Sequence, residues 1–437
     1  MHRRAGRRVS GDPPRPALAW GSRLLPLPPP ADRWPRLEAP GLSPLTDPAA
    51  ALAKAAREAA SRAASAAGRR PVALVVPDRT RPCLVDRLVP LLLDALEEEG
   101  TDPRRVTIVP ASGIHRPMDP AELARWVGPE AVRRGARLAP HDADAPAAGL
   151  GTSAHGIAVA AHPAVAGAGA VVAVGRIVFH YLAGFGGGRK LLVPGVADRA
   201  TVMAAHAFTV TDGRRHDAAR PGLLEGNPFH EALEAAAELF PETVFLHVAT
   251  DGRGRPAAVA AGGRRSHLAL CRDYARRHRV VLPRRLEAVV VSAGGSPADR
   301  DLVQAHKALD AVAPVVRPGG RILLVAGCED GVGNPEVAEA LKAGGLQAVR
   351  RGLRRRFRVG WQTAAALLEK TRRYRVFALT GLPAELARAA GMVPVASLEE
   401  GIAALTRPEP EAAAVAPRGA SLLYEAASEP KENPCRN

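Results

Sequence analysis

The stretch His180-Tyr-Leu-Ala-Gly-Phe-Gly-Gly-Gly-Arg-Lys190 concentrates more chemistry than any other part of the chain. Consecutive glycines let backbone N–H groups approach an anion, and the Arg189–Lys190 pair that follows adds positive charge. The spacing is neither the GxxxxGK[ST] of a Walker loop nor the GxGxxG of a dinucleotide fold. On spacing alone it reads as an anion site, with Gly186, Gly187 and Gly188 as the cradle and Lys190 beside them. Lysine is scarce, six among 437 residues, so one in this loop is informative. Further polar motifs are Asp78-Arg79-Thr80-Arg81-Pro82, Ala111-Ser112-Gly113-Ile114-His115-Arg116-Pro117 and Ser292-Ala293-Gly294-Gly295-Ser296-Pro297-Ala298-Asp299. His115 and His180 carry the side chain whose ordinary pKa suits proton transfer near neutrality.

Each motif follows a short apolar run. The runs Val72–Pro77, Val106–Val109, Ala170–Val174 and Ala288–Val291 read as strands, and in α/β sheets ligand groups collect past the carboxyl ends of strands. Between them lie helical patterns at Val85–Glu99, Ala121–Trp126 and around His230–Leu239, with a further strand at Val244–Val248. The pattern breaks near Arg276–Arg285 and restarts. Leu302–Val312 and Pro335–Ala343 read as helices, Ile322–Val325 and Val376–Leu379 as strands, and Ala412–Tyr424 closes the unit. This rhythm predicts two α/β domains with largely parallel sheets and an active-site cleft between them. The N-terminal domain is expected over 17–280 and the C-terminal domain over 281–424. Polar tails at 1–16 and 425–437 are expected to be disordered.

Composition narrows the function classes. The chain is 47% hydrophobic and 24% charged, ordinary for a globular protein. No apolar run is long enough to span a membrane. Aromatics are only 4%, so Ala, Gly and Val must build the core. The net charge is +16, but it is scattered and does not interleave with aromatics, which argues against nucleic acid. The Arg350–Arg356 cluster reads as a solvated helix face. Four isolated cysteines give neither a disulfide framework nor a zinc knuckle, and the arginine leader lacks an apolar segment, so a cytoplasmic location is expected.

Taken together, the motifs resemble those of the nickel-pincer lactate racemase family over about residues 17 to 424. The matching pieces are DxTRP at Asp78–Pro82, GxHRP at Gly113–Pro117 and HxxAGFxGGRK at His180–Lys190 with its PGV continuation. His206, GNP at Gly226–Pro228, GGxPxD at Gly294–Asp299 and QxxK at Gln304–Lys307 match as well. The resemblance implies an isomerase that racemises or epimerises a 2-hydroxy acid. It implies covalent attachment of a pyridinium-derived mononucleotide at Lys190, nickel held by that group's sulfur and carbon atoms, and His206 as the protein's ligand to nickel. It further implies His115 and His180 as an acid/base pair, and Arg81, Gln304, Lys307 and Trp361 as substrate contacts. Separate cofactor-making proteins are implied as partners.

The chemistry is coherent with those residue types. Deprotonating C2 beside a carboxylate is difficult, whereas removing the hydroxyl proton while C2 loses hydride is not. Two histidines can serve one enantiomer each. Arg81 offers a bidentate fork to the substrate carboxylate and Lys307 a point charge. Asp78 either caps a helix or acts at the site, orienting Arg81 or touching the cofactor. Asp299 reads as a helix N-cap, and His141, His155, His162, His247 and His278 as structural. His306, inside the QxxK motif, is a departure from the family pattern. A non-catalytic protein that carries the nucleotide cofactor is the alternative; it would need only Lys190 and His206.

Overall fold

The computed structural model describes residues 16–81 and 83–427. A six-stranded sheet forms the centre of the first domain. Its order is Pro256–Gly262, Thr243–Thr250, Ala170–Arg176, Val72–Pro77, Val106–Ala111 and Arg137–Leu138. All neighbours are parallel except the edge strand Pro256–Gly262. Every residue of Val72–Pro77 is buried, the mark of a central strand covered on both faces. Helix Pro48–Ala67 covers one face with a row of small side chains, and Ala56, Ala59, Ala60 and Ala63 have no exposure at all. Alanines let helix and sheet approach closely, which is how a chain poor in aromatics still packs densely. Helix Val85–Glu98 joins it, burying Leu88, Val89, Leu92 and Leu96 at helical spacing.

A second, all-parallel sheet has the order Val393–Pro394, Arg375–Thr380, Val316–Ala326, Leu286–Ser292 and Ala413–Ala416. Helices Leu302–Val312 and Val359–Arg373 pack on it. Both sheets match the α/β architecture expected from the sequence.

The domain boundaries differ from expectation at both ends. The hairpin Ala17–Trp20 with Arg23–Pro26 belongs to the second domain, since Leu18, Leu27 and Ala31 are buried against Ala288, Val290, Leu323 and Val325. The Asp299 carboxylate fixes it there, accepting from Gly21 N at 2.7 Å and Gly327 N at 2.8 Å. Asp299 is therefore a staple rather than a helix cap. The cap of helix Leu302–Val312 is Asp301, which accepts from Gln304 N at 2.8 Å. The proposed break at 280 falls inside strand Arg279–Leu282, which pairs with Leu423–Ala426. Glu425 and Ala426, expected in a tail, are thus strand residues. Pro16 and Ala427 are held as well, Pro16 O accepting from Leu27 N and Ala427 N donating to Leu282 O, each at 2.8 Å; positions 1–15 and 428–437 of the expected tails lie outside the described residues.

A polar seam joins the domains. Tyr181 Oη lies 3.3 Å from Thr363 Oγ1, and its ring meets the His306 ring edge-on at 5.3 Å. Arg215 donates to Asp310 at 2.6 Å, Lys370 stands 2.5 Å from the same carboxylate, and Arg354 pairs with Asp212 at 2.7 Å. His306, without a place in the sequence pattern, is a buried member of this seam. Its Nδ1 donates to Val303 O at 2.8 Å, and its Nε2 lies 3.7 Å from Asp310.

Candidate active site

Three parallel strands end at one edge and deliver the polar motifs together. Val72–Pro77 leads into Asp78, Val106–Ala111 into His115, and Ala170–Arg176 into Phe179–His180. Asp78 is 3% exposed and bonds to His115 Nδ1 at 2.8 Å. Its other oxygen accepts from Thr80 N at 3.1 Å and Thr80 Oγ1 at 2.7 Å. Burial pushes the Asp78 carboxyl up, but the hydrogen bonds from His115 and Thr80, with the Arg81 charge, outweigh this and hold it below the usual carboxylate range. Asp78 caps no helix; it is the orienting partner of His115. With Nδ1–H committed to Asp78, His115 keeps its lone pair at Nε2.

His180 is held the other way round. Its Nδ1 accepts from Leu182 N at 3.2 Å and Ala183 N at 3.1 Å, so the neutral ring carries its hydrogen on Nε2. Burial, with the charges of Lys190, Lys307 and Arg81, pushes its pKa well below the ordinary histidine value. His180 and Lys307 both lie against the Tyr181 ring, at 5.3 Å between ring centroids and 5.8 Å from Nζ, which brings a histidine of the first domain beside a lysine of the second.

Helix Arg199–Ala207, capped by Asp198 on Thr201 N at 2.9 Å, presents His206 near its end. His206 Nδ1 donates to Val202 O at 2.8 Å, one turn back, which leaves Nε2 free. Burial and the Lys190 charge lower its pKa to about 4, so the ring is neutral at physiological pH. Lys190 and His206 share a neighbour, since Lys190 Nζ lies 5.4 Å above the Phe229 ring and the His206 ring is 4.7 Å from it. Phe229 is placed by Asn227, which accepts from Phe229 N and His230 N and donates to Leu182 O at 2.8 Å. Burial, aided by Arg189, Arg81 and Lys307, lowers the Lys190 ammonium well below its ordinary value.

Two of the three donors of the glycine loop are turned toward the protein. Gly188 N–H donates to His247 Nε2 at 2.6 Å and Gly186 N–H to Val178 O at 2.8 Å, so both donors are already used. The glycines are needed for close approach instead. A Cβ on Gly187 would stand 2.8 Å from His247 and one on Gly188 2.5 Å from His267, and both residues have positive φ, 73° and 56°. Beneath them His267, Cys271, Arg189, Glu234 and His230 complete a buried polar layer. Burial, with the Arg189 charge, holds His247 and His230 neutral, each lowered to about 3.

From the second domain, Lys307 Nζ donates to Gln304 Oε1 at 2.6 Å and sits 5.8 Å above the Tyr181 ring. Burial and the Arg81 charge push Lys307 down to about 7. Trp361 is not brought into this group: it lies under Arg358, 5.2 Å away, and against Gly352. Sequence reasoning passed over Tyr181, Phe229, His267 and Asp310, whose roles come from partners distant in the chain. Tyr181 alone carried a signal, adjacent to His180 within the motif.

No group of three or more His, Cys, Asp or Glu side chains among the described residues could hold a metal ion. The donor set fits a metal that draws most of its ligands from an organic group. His206 offers one free Nε2, and Lys190 an amine nearby.

Comparison with known proteins places this geometry. The lactate racemase N-terminal domain profile matches residues 23–218, and the lactate racemase C-terminal domain profile matches residues 282–422. A lactate racemase of Thermoanaerobacterium thermosaccharolyticum is 29% identical over 271 residues, 61% of this chain and 62% of that protein. One of Lactiplantibacillus plantarum is 28% identical over 270 residues, with the same coverage. The match thus spans under two thirds of these relatives' length. The fold is shared more widely. The lactate racemase apoprotein of T. thermosaccharolyticum superposes with a TM-score of 0.82 at 23% identity, covering 94% of this chain and 99% of that one. A Thermotoga maritima protein gives 0.64 at 19% identity, covering 90% and 100%. With both domain profiles matched in order across most of its length, the chain belongs to the lactate racemase family.

Proposed function

We propose that this protein is an isomerase that racemises or epimerises a 2-hydroxy acid using a nickel-pincer nucleotide tethered at Lys190. The observation that carries the reading is the company Lys190 and His206 keep. A carrier needs those two residues alone, yet Arg81, His115 and its buried Asp78 follow the neighbouring strand ends, and His180 shares the Tyr181 ring with Lys307.

In this reading the loss of charge at Lys190 leaves a lone pair available for bonding to the cofactor. His206 supplies Nε2 to nickel, its orientation fixed by the Val202 carbonyl. When bound, the group supplies a reversible acceptor for the hydrogen at C2. The chain's own residues do the rest. Arg81 and Lys307 bind the substrate carboxylate, and Gln304 steadies the Lys307 ammonium. His115 Nε2 takes the hydroxyl proton, and Asp78 stabilises the resulting imidazolium. His180 holds the substrate oxygen by a hydrogen bond from its Nε2–H, and the proton on His115 Nε2 would return to that oxygen as C2 regains its hydrogen.

The test is chiral chromatography of D- and L-lactate, malate and longer 2-hydroxy acids with the chain co-expressed with cofactor-making proteins. Either enantiomer of one acid should yield both, with the C2 hydrogen retained in D2O. His115→Ala and His180→Ala should abolish turnover while leaving cofactor and nickel bound. Racemisation retained in both variants, or solvent deuterium at C2, contradicts the proposal.

A further inference from the structure

A second cavity, of about 520 Å³, opens where the hairpin Val210–Thr211 with Arg214–Arg215 meets helices Leu346–Arg355 and Val359–Arg373. None of its lining residues belongs to the cleft described above. Its wall carries six cations: Arg214, Arg215, Arg350, Lys370, Arg372 and Arg373. Against them stand Asp217, Glu369 and the buried Asp310 behind the wall, leaving a surplus of three positive charges. The pairing is uneven. Arg215 and Lys370 share the single carboxylate of Asp310, and Arg350 pairs with Glu369 at 2.6 Å while its Nε is buried without a partner. Arg214, Arg372 and Arg373 have no carboxylate partner among the described residues; Arg373 lies 5.7 Å over the Tyr374 ring. Arg350 heads the arginine cluster that reads from sequence as a solvated face, but it points into this cavity.

We infer that this cavity is a binding site for a small molecule bearing a diphosphate group, held between the two domains. Forked guanidinium groups match phosphate oxygens bidentately, and three exposed ones without carboxylate partners among the described residues, Arg214, Arg372 and Arg373, line this one pocket. A surplus of three charges suits a diphosphate, which carries two to three negative charges near neutrality. The volume lies in the range of small-molecule sites and exceeds what one phosphate fills. Arg214 comes from the first domain and Arg372 from the second, so the ligand would bridge the seam. Free pyrophosphate and a nucleoside diphosphate share this chemistry.

The test is calorimetric titration of the full chain with sodium pyrophosphate at constant ionic strength, because exposed charges bind anions weakly at any salt-free surface. Saturable binding of about one pyrophosphate per chain is expected, at least tenfold weaker in Arg372→Ser/Arg373→Ser. Arg276→Ser/Arg277→Ser, which removes the same charge from an exposed helix end elsewhere, should bind as the parent does, as should Lys190→Ala. Displacement of pyrophosphate by ADP assigns a nucleoside diphosphate; failure of ADP to compete assigns the free diphosphate. Absence of saturable binding, equal loss in the two double variants, or loss in Lys190→Ala instead would overturn the inference. Melting temperatures of all variants confirm that they are folded.

Discussion

At the residue scale, the two histidines differ in the atom that carries hydrogen. His115 has Nδ1–H bound to Asp78 and a free lone pair at Nε2; His180 has Nδ1 filled by two backbone donors and its hydrogen on Nε2. Asp78 is therefore central to His115. Asp78→Asn is expected to lower kcat by about 10²–10⁴-fold with little change in cofactor content, read by racemisation rate and intact mass. Lys307 gives a pH signature. Lowered to about 7, it is charged below that pH and neutral above it, so substrate carboxylate binding weakens as pH rises through 7. We expect kcat/KM to fall up to about tenfold per pH unit above that point, and Lys307→Arg to flatten the fall, since arginine stays charged. The types of these residues were legible in the sequence because the family motifs hold them. Their tautomers were not, because those depend on partners such as Asp78, 37 residues from His115.

At the element scale, the glycine loop and the seam decide whether the site forms. Gly188→Ala would put a Cβ 2.5 Å from His267 at a φ of 56°, forcing the loop that carries Lys190 to move. A loss of about 1–3 kcal/mol of stability and reduced covalent loading are expected, measured by denaturant unfolding and mass spectrometry. Asp310→Ala would leave Arg215 and Lys370 facing each other without their carboxylate, at a cost of about 3–5 kcal/mol, read the same way. The strands and helices named from the sequence mostly fall within a few residues of their observed bounds, because continuous apolar runs and 3.6-residue periodicity are local signals, whereas helices Pro48–Ala67, Arg264–Arg277 and Val359–Arg373 were not named. At the glycine loop the spacing signals close approach of some group without naming it, and the structure places a layer of imidazoles there. The seam was invisible, since Tyr181 and Thr363 are 182 residues apart in the chain.

At the scale of the whole molecule, neutral buried histidines set an acid limit. His206 and His306 are lowered to about 4, and His230 and His247 to about 3, each chiefly by burial. The unfolded chain takes up protons near pH 6.5 while the folded one does not, so stability is full above that value and declines as pH falls toward 4. The melting temperature should drop by several degrees between pH 7 and 5, measured without cofactor. Two α/β domains were legible from the strand–helix rhythm. The docking of the N-terminal hairpin on the second domain was not, because Gly21 and Asp299 stand 278 residues apart. The central claim is that the cleft is built around a cofactor tethered at Lys190, and intact mass with nickel content tests it most directly. Co-expressed with cofactor-making proteins, the chain should carry an adduct of several hundred daltons and about one nickel, and Lys190→Ala should lose the adduct. A clean polypeptide mass, under conditions that load a known lactate racemase, would contradict the account.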